Sequence, residues 1–190
     1  MKILLVEDMA GFGLPIKEEL EASGHTVTWI IGAQRLQPDR ITGILASKNA
    51  RPMEDSWGGD PTRLIEIDLS GFELAFVDGG LIGPIHDGSA IVPTLVARGI
   101  VCCAITGGAA GNHLLLDAGA QFGMPKELVL LALRTGAFAP RAAVSHRKRA
   151  GQRLARWVAR THREREQANR QGRHFDTGFA CLSPEKEGRR

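Results

Sequence analysis

Residues 2–8 read KILLVED, an apolar run from Lys2 to Val6 that ends in two adjacent acids, Glu7 and Asp8. An uninterrupted run of Ile, Leu and Val is typical of a strand buried on both faces of a parallel sheet. The acids that follow mark the point where the strand ends. This stretch therefore predicts the first strand of an α/β fold.

The same pattern recurs along the first 140 residues. Four further apolar or β-branched runs predict strands, and most of them are separated by helical stretches with one apolar face. This alternation predicts a parallel sheet with helices on both faces. The predicted strands are His25–Ile31, Phe72–Val77, Ile100–Ile105 and Gln121–Met124, and the predicted helices are Gly11–Ala22, Ser89–Arg98, Gly111–Ala118 and Glu127–Arg134.

Residues 32–71 do not follow this alternation. The stretch is longer than one crossover helix needs, and prolines and a glycine pair interrupt it. Residues Thr62–Leu69 alternate polar and apolar side chains with a period of two, which is typical of a strand. We therefore expect an insertion at about 32–71 that carries an extra strand.

The charge distribution divides the chain into two parts. The net charge of +3 combines 10 basic and 16 acidic residues at 1–140 with 14 basic and 5 acidic residues at 141–190. We expect a domain over residues 1–138 and a basic helical extension with a flexible tail over residues 139–190. Apolar residues at helical spacing support a helix at His146–Ala168, namely Ala150, Leu154, Trp157, Val158 and Thr161.

No apolar run in the sequence approaches the length that a membrane span requires, and the run at residues 3–6 is too short for a signal-peptide core. We therefore expect a cytoplasmic protein without membrane contact. Cys102, Cys103 and Cys181 lack metal-ligand spacing, and they are interpreted as reduced thiols.

Reactive side chains follow the predicted strands at the points where the strands end. Because the carboxyl ends of parallel strands gather at one edge of an open sheet, these side chains are expected to share a crevice. Three clustered carboxylates raise one another's pKa unless a cation is present, and hard oxygen ligands suit Mg²⁺. A carboxylate beside Mg²⁺ can attack a phosphoryl group, whose oxygens a lysine and a hydroxyl then neutralise. The residues are Glu7 and Asp8 after the first strand, Asp78 after the third, Thr106 at the end of the fourth and Lys126 after the fifth.

Each of these residues also has a structural interpretation. Asp78 followed by two glycines suits a turn, and Glu7 and Asp8 suit a helix cap. Thr106 suits a capping hydroxyl, and Lys126 suits a solvated charge at a helix start. Four strand ends with the right chemistry in the right order favour the functional interpretation.

Taken together, these motifs resemble the receiver domain of bacterial response regulators, the family of the single-domain chemotaxis regulator. The resemblance covers about the first 135 residues. The matching motifs are LLVED at 4–8, FVD at 76–78, AITG at 104–107, and AGA at 118–120 leading to Pro125 and Lys126.

The resemblance implies a doubly wound, flavodoxin-like sheet of five strands in the order 2-1-3-4-5, with five helices. It implies that Mg²⁺ is bound by Asp8, Asp78 and the Gly80 carbonyl, with Glu7 supporting through water. Asp78 would accept phosphate from a histidine kinase or a phosphotransfer protein, and Thr106 and Lys126 would contact the phosphoryl group. Such a protein is not an enzyme but a phospho-acceptor that assists its own phosphorylation and dephosphorylation, and it switches a downstream protein partner.

The chain departs from the receiver pattern in four places, one of which is a slightly longer loop after Asp78. The interval between the acidic pair and Asp78 is longer, as an insertion requires. Pro125 precedes Lys126 instead of following it. Gly123 stands where the family has a switch aromatic, with Phe122 beside it, so the coupling of the hydroxyl to that aromatic is expected to be altered or absent.

Three functions stay open at this point. The first is a stand-alone relay that switches a protein partner, and the second is a nucleic-acid-binding regulator that uses the basic residues 141–173. The third is a pseudo-receiver, an interaction module without a phosphorylation response. Clustering three carboxylates without purpose would destabilise a fold, which argues against the third. Residues 140–190 hold no recognised DNA-reading module, so an interaction element is favoured over a DNA reader, and a homodimer is left open.

Overall fold

The structure is a computed structural model that describes residues 1–47 and 59–135, together with five separate positions between residues 160 and 171. The helices are α1 Ala10–Ala22, α2 Val92–Ala97, α3 Ala109–Asp117 and α4 Lys126–Arg134, and a 3-10 turn at Gly88–Ala90 precedes α2. The strands are β1 Lys2–Val6, β2 Thr26–Leu36, β3 Arg40–Ala46, β4 Gly59–Asp68, β5 Phe72–Val77, β6 Val101–Thr106 and β7 Phe122–Pro125.

The strands form one sheet in the order β4-β3-β2-β1-β5-β6-β7. The five predicted core strands, β2-β1-β5-β6-β7, pair in parallel along their whole row. Numbered among themselves they have the order 2-1-3-4-5, which the resemblance to receiver domains implied. The predicted fold class, a doubly wound α/β sheet, is therefore confirmed.

The insertion changes the size of the sheet. Strands β3 and β4 add to its β2 edge in antiparallel orientation, so the sheet has seven strands instead of the implied five. Strand β4 confirms the extra strand predicted over Thr62–Leu69, whereas β3 and the continuation of β2 to Leu36 were not predicted. The described residues contain four α-helices rather than five, because this strand pair stands where a crossover helix was implied.

Side chains of the central strands alternate between two buried clusters, one on each face of the sheet. In β1, Ile3 and Leu5 pack with residues of α1 and α4, whereas Leu4 and Val6 pack with residues of α2 and α3. Burial on both faces explains why β1 is an unbroken apolar run in the sequence.

Gly13 in α1 lies against Trp29 of β2. The Trp29 indole is 4% exposed and donates a 2.7 Å hydrogen bond from Nε1 to the Glu7 carbonyl, and a Cβ on Gly13 would overlap its ring. We expect Gly13→Ala to lower the free energy of unfolding by about 1–3 kcal/mol in urea denaturation, although alanine is the better helix former. Combining it with Trp29→Phe should recover part of the loss, since the smaller ring leaves room. If the Gly13→Ala protein is as stable as the wild type, the contact with the Trp29 ring does not require glycine at position 13.

Cys102 and Cys103 are free and buried, as predicted. Burial raises the pKa of Cys102 to about 12 and raises the pKa of Cys103 as well. Both thiols are therefore neutral at physiological pH, and they pack as small apolar side chains. Cys181 lies outside the described residues.

The predicted basic extension falls mostly outside the described residues, including its apolar stripe from Ala150 to Thr161. The described positions Arg160, Arg163, Gln167 and Arg170 are helical and exposed. The domain boundary near residue 138 stays a prediction. Within the described part of the chain, no helix combines the length and apolarity that a bilayer span requires.

Candidate functional site

The structure brings the predicted strand-end residues to one edge of the sheet. Glu7 and Asp8 follow β1, Asp78 follows β5, Thr106 is the last residue of β6, and Lys126 begins α4 directly after β7. Lys126 links the two deepest acids of this group. The parallel order of the core strands therefore gathers these side chains, as the sequence predicted.

Lys126 lies at the centre of the site and is only 5% exposed. Its Nζ donates hydrogen bonds to Asp78 Oδ2 at 2.8 Å and to Glu7 Oε1 at 2.9 Å. The ammonium group also lies 5.0 Å from the centre of the Phe12 ring. The alternative interpretation of Lys126 as a solvated charge is therefore wrong, because the side chain is a buried cation shared between two carboxylates.

Glu7 is the most deeply buried acid of the site, with no exposed surface. Its Oε1 accepts the Lys126 bond and a 3.1 Å bond from the Met9 N–H, while Oε2 has no partner among the described residues. The resemblance implied that Glu7 supports a metal through water. The structure adds a second role, because Glu7 accepts a hydrogen bond from Lys126 and helps to hold the ammonium group in place.

The Asp78 carboxylate is fixed on both oxygens. Oδ1 accepts a 2.7 Å hydrogen bond from the Gly79 N–H, and Oδ2 accepts the bond from Lys126. The backbone holds the residue as well, since the Asp78 N–H donates to the Val6 carbonyl at 2.9 Å. The carboxylate therefore has one orientation at the floor of the site.

The ionisation of the acids reflects burial and crowding. The pKa of Glu7 is raised to about 8, first by burial and then by the charge of Asp78, while Lys126 acts in the opposite direction. Burial also raises the pKa of Asp78 and Asp8, and the charge of Asp78 adds to the shift at Asp8. Burial alone would lower the pKa of Lys126, but the carboxylates of Glu7 and Asp78 outweigh it and hold this pKa above its ordinary value.

The donor set of the site fits a divalent cation. One carboxylate oxygen from each of Glu7, Asp8 and Asp78 lies within 4.8 Å of the others. Three carboxylates face one ammonium, so negative charge is in excess when all are ionised, and the buried Glu7 Oε2 has no partner in the part of the chain that the structure describes. Hard oxygen donors beside an open cavity are the environment that Mg²⁺ prefers.

A cavity of about 530 Å³ opens beside Asp78. Parts of its wall have no side chain, since a Cβ placed on Gly80 or Gly107 would meet no atom within 4 Å. The space next to the Asp78 carboxylate is therefore large enough for a phosphoryl group and its waters. Its other lining residues include Met9, Phe12, His86, Asp87, Thr106, Leu114 and Lys126.

Thr106 lines the same cavity, but its hydroxyl is bonded elsewhere. Oγ1 donates a 2.6 Å hydrogen bond to the Gly108 carbonyl. The predicted contact between Thr106 and a phosphoryl oxygen therefore requires a rotation of this side chain.

Several residues at the site were not predicted from the sequence. Phe12 and Met9 line the cavity, and Trp29 binds the Glu7 carbonyl. Phe12 and Trp29 lie in segments that the apolar pattern assigns to the core. The pattern holds no signal that distinguishes an aromatic beside Lys126 from any other core aromatic.

No protein-family model matches the chain, and no curated protein is found similar to it. Solved structures do match. A CheY-like response regulator receiver domain protein of Methanospirillum hungatei is 16% identical, with 82% of this chain and 97% of that chain covered and a TM-score of 0.47. The non-phosphorylated HemR receiver domain of Leptospira biflexa is 22% identical, with 75% of this chain and 98% of that chain covered and a TM-score of 0.44.

A third similar structure is a response regulator protein of Burkholderia pseudomallei with a phosphorylated aspartic acid, a calcium ion and citrate. It is 18% identical, with 72% of this chain and 68% of that chain covered and a TM-score of 0.43. Two of these solved structures are described as receiver domains and the third as a response regulator.

Proposed function

We propose that this protein is the receiver of a two-component phosphorelay and that Asp78 is its phospho-acceptor. One observation carries the proposal: Asp78 Oδ2 is 2.8 Å from the Lys126 ammonium at the floor of an open, acidic cavity. A carboxylate held in one orientation beside a buried cation is a positioned nucleophile, and the cation lies where charge accumulates during phosphoryl transfer.

The donor in this proposal is the phosphohistidine of a histidine kinase or a phosphotransfer protein. An Asp78 oxygen attacks the phosphorus, the bond from phosphorus to the imidazole nitrogen breaks, and an acyl phosphate forms on Asp78. Lys126 remains as counter-ion to the new phosphoryl oxygens. The Thr106 hydroxyl turns from the Gly108 carbonyl and donates to one of these oxygens.

In this proposal Asp8, Asp78 and the Gly80 carbonyl hold Mg²⁺, while Glu7 supports the ion through water and keeps Lys126 charged. When bound, Mg²⁺ supplies positive charge that neutralises the phosphoryl oxygens. The chain itself orients the carboxylate, excludes bulky side chains from the cavity wall and holds the lysine. The protein thus assists its own phosphorylation and dephosphorylation without being an enzyme in the ordinary sense.

The output in this proposal is a change in affinity for a downstream protein partner. Nucleic-acid binding through residues 141–173 stays an alternative prediction. A steep dependence of DNA binding on salt concentration would favour that alternative.

The test is the intact mass of the protein after incubation with a small-molecule phosphodonor, and then with histidine kinases, with and without Mg²⁺. We expect the wild type to gain the mass of one phosphoryl group only when Mg²⁺ is present. Asp78→Asn should gain none, because an amide is not a nucleophile toward phosphorus and keeps nearly the same shape.

Asp87→Asn is the matched control, since Asp87 is an exposed acid that lines the same cavity. Its carboxylate caps the following turn by accepting from the Ser89 N–H, which asparagine can also do. This variant should gain phosphate like the wild type. A gain that persists in Asp78→Asn, or no gain in the wild type with any donor, contradicts the proposal and favours the pseudo-receiver.

A further inference from the structure

Strand β2 is longer than its parallel neighbour β1. Residues Thr26 to Ile30 pair with β1, but β1 ends at Val6. The remainder of β2, from Gly32 to Leu36, pairs on one side with β3. Its other side, which β1 no longer occupies, is open to another segment of the chain.

The segment that occupies this side is the loop after Asp78, residues 79–88, here called the acceptor loop. The Ile85 N–H donates a 3.1 Å hydrogen bond to the Ala33 carbonyl, and the two residues form an antiparallel bridge. Leu81 and Ile82 of the loop are buried, with 7% and 5% exposure. The acceptor loop is therefore packed against the β2–β3 part of the sheet.

Two glycines allow this close approach. A Cβ on Gly32 would overlap the carbonyl oxygen of Ile82, which is a main-chain atom and cannot rotate away. Gly83 has a φ of 99°, and a Cβ there would lie 2.8 Å from Ile44 Cδ1 of β3. The main chain of the loop therefore contacts the main chain of β2 directly.

The other end of the loop is fixed at the acceptor. The Leu81 N–H donates to the His86 carbonyl and the Gly88 N–H donates to the Gly79 carbonyl, both at 2.9 Å. Gly80 and Asp87 lie opposite each other between these two hydrogen bonds and form an antiparallel bridge. In such a pair the two residues do not bond to each other, so the N–H and C=O of Gly80 point away from Asp87. Gly80 lines the cavity beside the Asp78 carboxylate, so its peptide lies on the side of the site.

We propose that the β2–β3 extension is a positioning element for phosphorylation, and that Gly32 is its positioning residue. Through the contact of Gly32 with Ile82 and the bond from Ile85 to Ala33, it holds the acceptor loop so that Gly80 faces the metal and phosphoryl site. This inference rests on the proposed function, in which the Gly80 carbonyl binds Mg²⁺. It assigns a role to the insertion, which otherwise only enlarges the sheet.

Gly32→Ala tests the inference, and Gly43→Ala is its matched control. Gly43 lies in β3 of the same extension, but the atoms nearest to a Cβ there are side-chain methyl groups of Ile30 and Ile67, at 2.9 and 3.1 Å, and not main-chain atoms. We expect Gly32→Ala to bind Mg²⁺ about tenfold more weakly than Gly43→Ala in isothermal titration calorimetry, the usual effect of losing a group that orients a metal ligand.

A measurement on the wild type alone keeps the inference testable if Gly32→Ala does not fold. Coupling is reciprocal, so if the Ile85–Ala33 contact favours metal binding, metal binding must favour the contact. We expect Mg²⁺ to slow amide hydrogen exchange at Ile85. The Leu69 amide, which donates to the Asp39 carbonyl elsewhere in the insertion, should be unaffected.

The outcomes separate this inference from the proposed function. If the wild type neither binds Mg²⁺ nor gains phosphate, the proposed function fails and this inference fails with it. If the wild type does both, while Gly32→Ala matches Gly43→Ala in Mg²⁺ affinity and exchange at Ile85 does not respond to Mg²⁺, the inference alone is overturned.

Discussion

Replacing Lys126 with methionine is expected to lower the free energy of unfolding by about 3–5 kcal/mol at pH 8, the usual loss when one partner of a buried ion pair is removed. Methionine fills a similar volume but leaves Glu7 and Asp78 without their cation in a buried site. The loss should be smaller at pH 5, because protonation of the carboxyls removes the uncompensated charge. Urea denaturation at both pH values, without Mg²⁺, measures the effect.

Lys17→Met is the control for this variant. Lys17 forms an ion pair with Glu21 at 2.6 Å on the surface of α1, where both side chains are partly exposed. A pair of this kind contributes about 0.3–0.5 kcal/mol. If Lys126→Met loses no more stability than Lys17→Met, then the Lys126 contacts do not hold the site together. If the Lys126→Met loss is equal at pH 5 and pH 8, then ionised carboxylates are not its cause.

The core strands and the site were predictable because both depend on local apolar pattern and on strand order. Strands β1 and β5 have the predicted bounds, Lys2–Val6 and Phe72–Val77, since each is an apolar run that ends at an acid. Once these strands are parallel neighbours, Glu7 and Asp78 must lie side by side. Lys126 follows from the same geometry, because β7 ends at the same edge.

The insertion was only partly predictable. Strand β4 alternates polar and apolar residues, which the sequence shows. Strand β2 was expected to end at Ile31, where its β-branched and aromatic run stops. In the structure the strand continues through Gly32, although glycine usually weakens a strand, because the Ile82 carbonyl leaves no room for a Cβ at this position.

The contacts of the acceptor loop had no sequence signal. The Ile85–Ala33 bond joins two main chains, and main-chain atoms are the same at every residue. Apolar residues such as Leu81 and Ile82 suggest burial, but they do not say against which strand. Ala33 and Ile85 are 52 residues apart in the chain (85 − 33), so their contact becomes visible only when both segments are folded.

The buried acids also make stability depend on pH, and Glu7 is expected to dominate this dependence. Its pKa in the folded protein is about 8, compared with an ordinary value of 4.5. Between these values the folded protein keeps a proton on Glu7 that the unfolded chain has released. Since the folded state binds more protons, raising the pH through this window lowers the free energy of unfolding. Without Mg²⁺ we expect a fall on the order of 2–4 kcal/mol from pH 5 to pH 8.

The Glu7→Gln variant separates the contribution of Glu7 to the pH dependence of stability from the contributions of the other acids. Glutamine retains a carbonyl oxygen that can accept from Lys126 and from the Met9 N–H, but it has no proton to release. The free energy of unfolding of the variant should therefore change much less with pH. The change that remains comes from Asp8 and Asp78, whose pKa values are also raised. Mg²⁺ should flatten the slope of the wild type, because a cation favours the ionised carboxylates. Two results would contradict this prediction: a free energy of unfolding that rises between pH 5 and pH 8, or the same pH dependence in the wild type and Glu7→Gln. Either would mean that Lys126 keeps Glu7 ionised in the folded state.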